Sequence, residues 1–196
     1  MPAPTPSQTI GPFYGYALPF PGGGEVAPPE HPEAITVHGH VYDGAGSPVP
    51  DALLETWQAA PDGSLAGHPG SLRRNPVTGG FLGRNGVDFT GFARVATDAD
   101  GHWGVRTLPP PAALPYLSVC LFARGLTHHL FTRAYVDGRT LDGRAVDDAV
   151  LSALPEQRRA TLVAREEGPR RYRFDIRLQG PGETVFLDFG PGDDAR

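Results

Sequence analysis

Few residues in this chain combine a reactive type with a useful spacing. His38-x-His40 has the i, i+2 separation that puts two imidazoles on one face of a strand. Such a pair can share a metal ion only with further ligands, and Asp43 is the one candidate nearby. With Ile35, Val37 and Val41 on the opposite face, the two histidines read as solvent-facing. His128 and His129 are adjacent, so a strand would send them to opposite faces. Asp98-Ala99-Asp100-Gly101 begins like a calcium loop but lacks the closing glutamate, and a hairpin turn accounts for it. No Gly-x-Ser-x-Gly elbow supports a serine nucleophile, and Gly22-Gly23-Gly24 does not join a strand to a helix as a phosphate loop does. Cys120 stands alone in an apolar run, where a thiol pKa is raised rather than lowered. Taken by themselves, these residues form no catalytic constellation.

The elements that would position them are mostly strands. Pro115–Gly125 reads as a buried strand entering a turn, with Tyr116, Ser118, Cys120 and Phe122 on one face. Leu130–Val136 is its predicted partner around Arg124-Gly125. Ile35–Tyr42 and Ala52–Trp57 are predicted to pair as a hairpin, as are Gly91–Thr97 and His102–Thr107 around Asp98–Gly101. Thr161–Arg165, Tyr172–Leu178 and Thr184–Asp188 complete about nine strands, the middle one strictly alternating. Asp147–Leu154 and Pro155–Ala160 read as short helices. The expected fold is all-β: a sandwich of about nine strands, residues 35–196, behind an irregular N-terminal arm, residues 1–34. Six large apolar or aromatic side chains between Ile10 and Phe20 are too costly to leave in water. They pack either on their own domain or on a partner.

Composition narrows the function classes. A chain of 196 residues suffices for one domain, and its 26 glycines and 22 prolines fall between alternating runs, as tight turns require. A formal charge of −5 gives no reason to expect nucleic acid or an acidic membrane as partner. A single cysteine excludes a disulfide framework and favours a reducing compartment. The start Met-Pro-Ala-Pro has neither the basic nor the apolar region of a signal peptide, and no apolar run approaches ~20 residues. A soluble cytoplasmic protein is expected.

Several segments carry a resemblance. They are Thr5-Pro6-Ser7-Gln8-Thr9-Ile10-Gly11-Pro12-Phe13, Gly39-x-Val41-Tyr42-Asp43-Gly44 and Leu54-Glu55-Thr56-Trp57-Gln58-Ala59. Leu121-Phe122-Ala123-Arg124-Gly125 and Phe131-Thr132-Arg133 follow, then Tyr172 to Gly180 and Gly182 to Phe189. In this order, across nearly the whole chain, they resemble the α chains of the protocatechuate 3,4-dioxygenases, a family of intradiol ring-cleaving enzymes. The resemblance implies a homologous β chain that holds Fe(III) through two tyrosinates and two histidines, donors suited to the ferric state. Where an iron-binding chain would have His-x-His, this one has Tyr116 and Ser118. Leu65 falls near the place of the first tyrosine ligand, and Leu108–Pro115 holds no tyrosine for the second.

The implied role is therefore that of a metal-free partner, with Fe(III) held by the β chain. Together the chains would insert O₂ into protocatechuate in aromatic catabolism (the β-ketoadipate pathway), within a higher-order αβ assembly. Carried over by position, Thr9, Gly11, Pro12, Phe13 and Arg133 would line the substrate pocket, with no catalytic residue from this chain. A guanidinium can orient the substrate carboxylate by paired hydrogen bonds, and Gly11 would let backbone approach the ring. Arg133 in an ordinary strand-end ion pair and Thr9 as a turn residue are the alternatives. Phe13 stands where some members have tyrosine, leaving Tyr14 or Tyr16 to offer a hydroxyl. Two other classes stay open: a single-chain dioxygenase with different ligands, such as His38, His40 and a tyrosine, and a non-catalytic β-sandwich binding module.

Overall fold

The computed structural model describes residues 11, 14–68, 71–136 and 148–189. Among them lie eleven strands and three short helices. The strands are β1 (Ile35–Tyr42), β2 (Leu53–Trp57), β3 (Leu72–Arg74), β4 (Phe81–Arg84), β5 (Phe92–Ala96), β6 (His102–Thr107), β7 (Tyr116–Phe122), β8 (Leu130–Tyr135), β9 (Arg165–Gly168), β10 (Arg171–Arg173) and β11 (Ile176–Arg177). The helices are α1 (Tyr14–Ala17), α2 (Ala149–Ala153) and α3 (Glu156–Arg159). One sheet runs β11-β1-β10-β9 with β6 on the other side of β1; the second runs β5-β2-β7-β8. The expected all-β sandwich is what forms.

The two inner faces meet in one apolar core. Val37, Val41, Trp103, Val105, Phe174 and Ile176 from the first sheet pack in the same cluster as Leu54, Ala93, Leu117, Val119 and Leu121 from the second. Full burial of each such side chain is worth roughly 1.5–3 kcal/mol, so alternation decides which face turns inward. Strand β7 follows its pattern: Leu117, Val119 and Leu121 are buried, while Tyr116, Ser118, Cys120 and Phe122 alternate with them on the outer face. A second, smaller cluster of Tyr135, Leu151, Leu162 and Val185 packs on Tyr116 and Leu187 outside β7–β8.

Three expectations need correction. The two turns at Asp43–Ser47 and Asp98–Gly101 form as read, with Asp43 and Asp98 carboxylates accepting backbone N–H groups two and four residues on. Their flanking strands do not pair, however. β1 pairs β6 and β2 pairs β5, so each turn carries the chain from one sheet to the other. A turn signal reports a reversal, not which sheet the next strand joins. The run at Tyr172–Leu178 divides into β10 and β11, both parallel to β1. At the break Asp175 Oδ1 accepts the His40 N–H at 3.0 Å, in place of a ladder carbonyl. Phe174 N–H donates to the His38 carbonyl at 2.7 Å, and Gly39 makes room for the Phe174 carbonyl because a Cβ there would collide with it. Thr161–Arg165 starts as a 3₁₀ turn (Ala160–Leu162), and of Thr184–Asp188 only Leu187 makes a bridge, to Phe131. The β3–β4 hairpin and helix α1 had no distinct signal in the sequence.

The described part of the arm lies against the sandwich. Arg94 N–H donates to the Gly23 carbonyl at 3.0 Å and Arg106 N–H to the Gly24 carbonyl at 2.8 Å. Side chains at Gly23 and Gly24 would strike the carbonyls of Arg94 and Gly104, so glycines are needed for this approach. Tyr14, Phe20 and Val26 are buried there.

Candidate functional site

The outer face of β7–β8 brings the chemically relevant side chains together. The antiparallel register sets Tyr116 opposite Tyr135, Ser118 opposite Arg133 and Cys120 opposite Phe131. Cross-strand partners lie close enough to touch, which is how one face of a sheet assembles a site. Arg133 Cζ stands 4.2 Å from the Tyr116 ring centroid, a cation–π contact, and the two tyrosine rings are 5.2 Å apart.

Arg133 is anchored by a buried carboxylate. Its Nη1 donates to Asp148 Oδ2 at 3.0 Å, to Oδ1 at 3.3 Å and to the Tyr135 hydroxyl at 3.3 Å. The Tyr135 hydroxyl donates to Asp148 Oδ2 at 2.7 Å. Asp148 also caps α2, accepting the Val150 N–H at 2.8 Å, so the start of that helix places the carboxylate. The sequence reading found Arg133 and the helix but missed Asp148 as partner; the aspartate before an apolar run is a capping signal, and nothing local links it to β8. Burial pushes the Tyr135 phenol well up, and hydrogen bonding to the Asp148 carboxylate adds to the rise. Burial would lower the Arg133 pKa, but the hydrogen bond to the Tyr135 hydroxyl and the surroundings of Tyr116, Tyr135 and the Asp148 carboxylate outweigh it, so the cation is favoured.

The other expected site residues are distributed differently. Thr9, Pro12 and Phe13 lie outside the described residues. Gly11 has φ +77°, in the left-handed region that favours glycine. Tyr14 does not have its hydroxyl free for a substrate: it donates to the Asp51 carbonyl at 2.7 Å. Asp51 also holds Arg124 at 2.6 Å, just beyond the far end of β7. The Tyr14 hydroxyl is therefore engaged near the far end of β7 and not at the Ser118–Arg133 position.

The histidine pair is not solvent-facing as read. His38 is buried, its Nε2 3.1 Å from Glu167 Oε2 and accepting from Arg171 Nε at 3.0 Å, while His102 Nε2 lies 3.4 Å from its Nδ1. Long side chains from the β9–β10 hairpin cover this face, and Gly104, opposite in the register, leaves space for the ring. Burial, then the Arg171 charge, lowers the His38 pKa. His40 stacks on Tyr42 with ring centroids 5.8 Å apart. Among the described residues no three His, Cys, Asp or Glu side chains are grouped to hold a metal ion. No described helix is long and apolar enough to cross a membrane.

Comparison with solved structures places this architecture. The chain superposes with a TM-score of 0.52 on the dioxygenase domain of a dioxygenase–carbohydrate-binding fusion from Streptomyces sp. SirexAA-E, at 24% identity over 91% of this chain and all of that one. An intradiol ring-cleavage dioxygenase from Tetranychus urticae gives 0.50, at 12% identity over 87% and 88%. The fold is thus that of the intradiol dioxygenases. No family model matches the sequence. Among curated proteins it is 40% identical over 204 residues to the protocatechuate 3,4-dioxygenase alpha chain of Burkholderia cepacia, covering 94% of this chain and 96% of that one. The Pseudomonas putida alpha chain is 37% identical with the same coverage. The beta chain of B. cepacia is 31% identical over 78% of this chain and 67% of its own length. The chain belongs to the protocatechuate 3,4-dioxygenase family, with the alpha chains.

Intradiol dioxygenases are iron enzymes, and the face of β7–β8 does not fit a ferric ion. Tyr116 and Ser118 face a permanently charged guanidinium, whose Cζ stands over the Tyr116 ring. A trivalent cation beside Tyr116 would have to displace Arg133 from Asp148, leaving a buried charge unpaired.

Proposed function

We propose that this chain is the alpha subunit of a two-chain, iron(III)-dependent protocatechuate 3,4-dioxygenase, and that it completes a substrate pocket whose iron is held by a homologous beta chain. What carries the reading is its 40% identity to an alpha chain over nearly the full length of both proteins. Likeness to a beta chain as well supports a pair of homologous chains from one fold.

The overall reaction adds both atoms of O₂ across the bond between the two hydroxyl-bearing carbons of protocatechuate. It yields 3-carboxy-cis,cis-muconate with no other co-reactant. When bound to the beta chain, the ferric ion supplies activation of the catecholate towards O₂. Arg133 offers directional N–H donors to the substrate carboxylate. Because Asp148 already balances its charge, this residue contributes orientation more than net positive potential. The arm residues Thr9, Gly11, Pro12 and Phe13 form the wall against the ring, with Gly11 allowing close backbone approach. Several αβ pairs assemble in the holoenzyme, which works in the cytoplasm.

The test is co-expression with an adjacent gene for a homologous chain carrying His-x-His. The pair is expected to co-purify, to contain iron and to cleave protocatechuate, while this chain alone does neither. Stoichiometric iron with a tyrosinate-to-iron visible band in the isolated chain would overturn the assignment.

A further inference from the structure

Arg133 is held from one side only. Its hydrogen bonds to Asp148 and Tyr135 all leave from Nη1, and among the described residues Nε and Nη2 donate to nothing. A guanidinium presents its donors as a rigid planar fork, so pinning one terminal nitrogen and seating Cζ over the Tyr116 ring restricts the direction of the opposite edge. That edge, Nε with Nη2, is the pair of parallel N–H groups that matches a carboxylate. The holder is itself fixed. Asp148 is buried, bound by Tyr135 from the sheet and by the Val150 N–H from α2.

We infer that Asp148, with Tyr135, is a positioning residue for substrate recognition, aiming the free edge of Arg133 at a carboxylate-bearing ligand. This rests on the assignment of Arg133 to the protocatechuate pocket. Orientation matters because an arginine side chain has several rotatable bonds, and an unheld guanidinium must be ordered at the moment of binding. The carboxylate of Asp148 supplies two of the three acceptors that hold it, including the nearest. In Asp148→Asn one oxygen still caps Val150, but the amide NH₂ then meets Nη1 and the Tyr135 hydroxyl with donors. Arginine cannot deprotonate to accept from the amide, so Nη1 loses its nearest acceptor and the charge that faced it, and the guanidinium is held only loosely while the helix cap stays.

The experiment is a double-mutant cycle in the purified αβ complex, reading KM and kcat for protocatechuate, iron content and thermal midpoint. Arg133→Ala is expected to raise KM about tenfold or more, the scale of a charge-assisted hydrogen-bond pair. Asp148→Asn is expected to raise it at least about fivefold, with kcat within about twofold and iron unchanged. In the Arg133→Ala background, Asp148→Asn is expected to add nothing, because its effect passes through the arginine. A normal KM in Asp148→Asn beside a raised one in Arg133→Ala overturns the positioning role and leaves the pocket standing. A further KM increase in the double variant overturns it too. An unchanged KM in Arg133→Ala overturns the pocket assignment itself. Should Asp148→Asn fail to assemble, Tyr135→Phe carries the same cycle, with about a two- to threefold rise expected only while Arg133 is present. No rise there overturns the inference.

Discussion

Cys120 and Arg133 share the outer face of β7–β8, and their surroundings set opposite behaviour. Arg133 faces the Asp148 carboxylate and the Tyr135 hydroxyl and keeps its charge. Cys120 is half-buried, and burial followed by the neighbouring Glu55 carboxylate pushes its thiol up to about 11. Since only the thiolate attacks, a rise from 9.0 cuts the reactive fraction near pH 8 by about a hundredfold. Iodoacetamide is expected to label Cys120 in the folded chain at least that much more slowly than in urea. Labelling at the unfolded rate would contradict this environment. The sequence already implied an inert thiol, because an apolar strand gives nothing to stabilise the anion. It could not name Glu55, which joins the site across β2–β7 pairing.

At the scale of elements, Gly39 is where β1 accepts two successive parallel partners. The break at Phe174-Asp175 seats a carbonyl against Gly39 and hands the His40 N–H to a side chain. Gly39→Ala must push this segment outward and is expected to destabilise the chain by about 1–3 kcal/mol, as overpacking does. Chemical denaturation checks it, and a loss below a few tenths would show that the segment yields freely. Sequence alternation read Tyr172–Leu178 as one strand because periodicity records which side chains turn inward, and Phe174 and Ile176 do. It carries no record of backbone partners, so the interruption was invisible. The reading of β7 and β8 succeeded for the converse reason. They are joined through residues 123–129, where Gly125 takes φ +89°, and these adjacent alternating strands pair directly.

For the whole molecule, the β9–β10 hairpin is tied to β1 through His38, Glu167 and Arg171. The fold favours neutral His38, since burial and Arg171 outweigh Glu167. The sign follows from linkage. As pH falls through the unfolded value near ~6.5, the unfolded chain takes up the proton first. Stability present above that pH is lost on acidification until the folded imidazole also protonates. The thermal midpoint is therefore expected to fall between pH 7 and 5, and His38→Gln to flatten part of that slope. Equal slopes in the two proteins would remove His38 from the account. The sequence showed the i, i+2 spacing of His38 and His40 but placed both in solvent, because the covering hairpin comes from residues more than a hundred positions away.

What the sequence determined by itself is the alternating strands from β1 to β8 apart from the β3–β4 hairpin, the polar turns between them, and the absence of His-x-His at Tyr116 and Ser118. These are local properties, written in residue type and in a two-residue period. The tertiary structure decided which sheet each strand joined, since burial across a sandwich depends on segments distant in the chain. It also decided that Asp148 on a helix cap meets Arg133 on β8, a pairing fixed by packing and not by sequence spacing. That meeting turns a solitary arginine into an oriented one, with one edge held and the other presented.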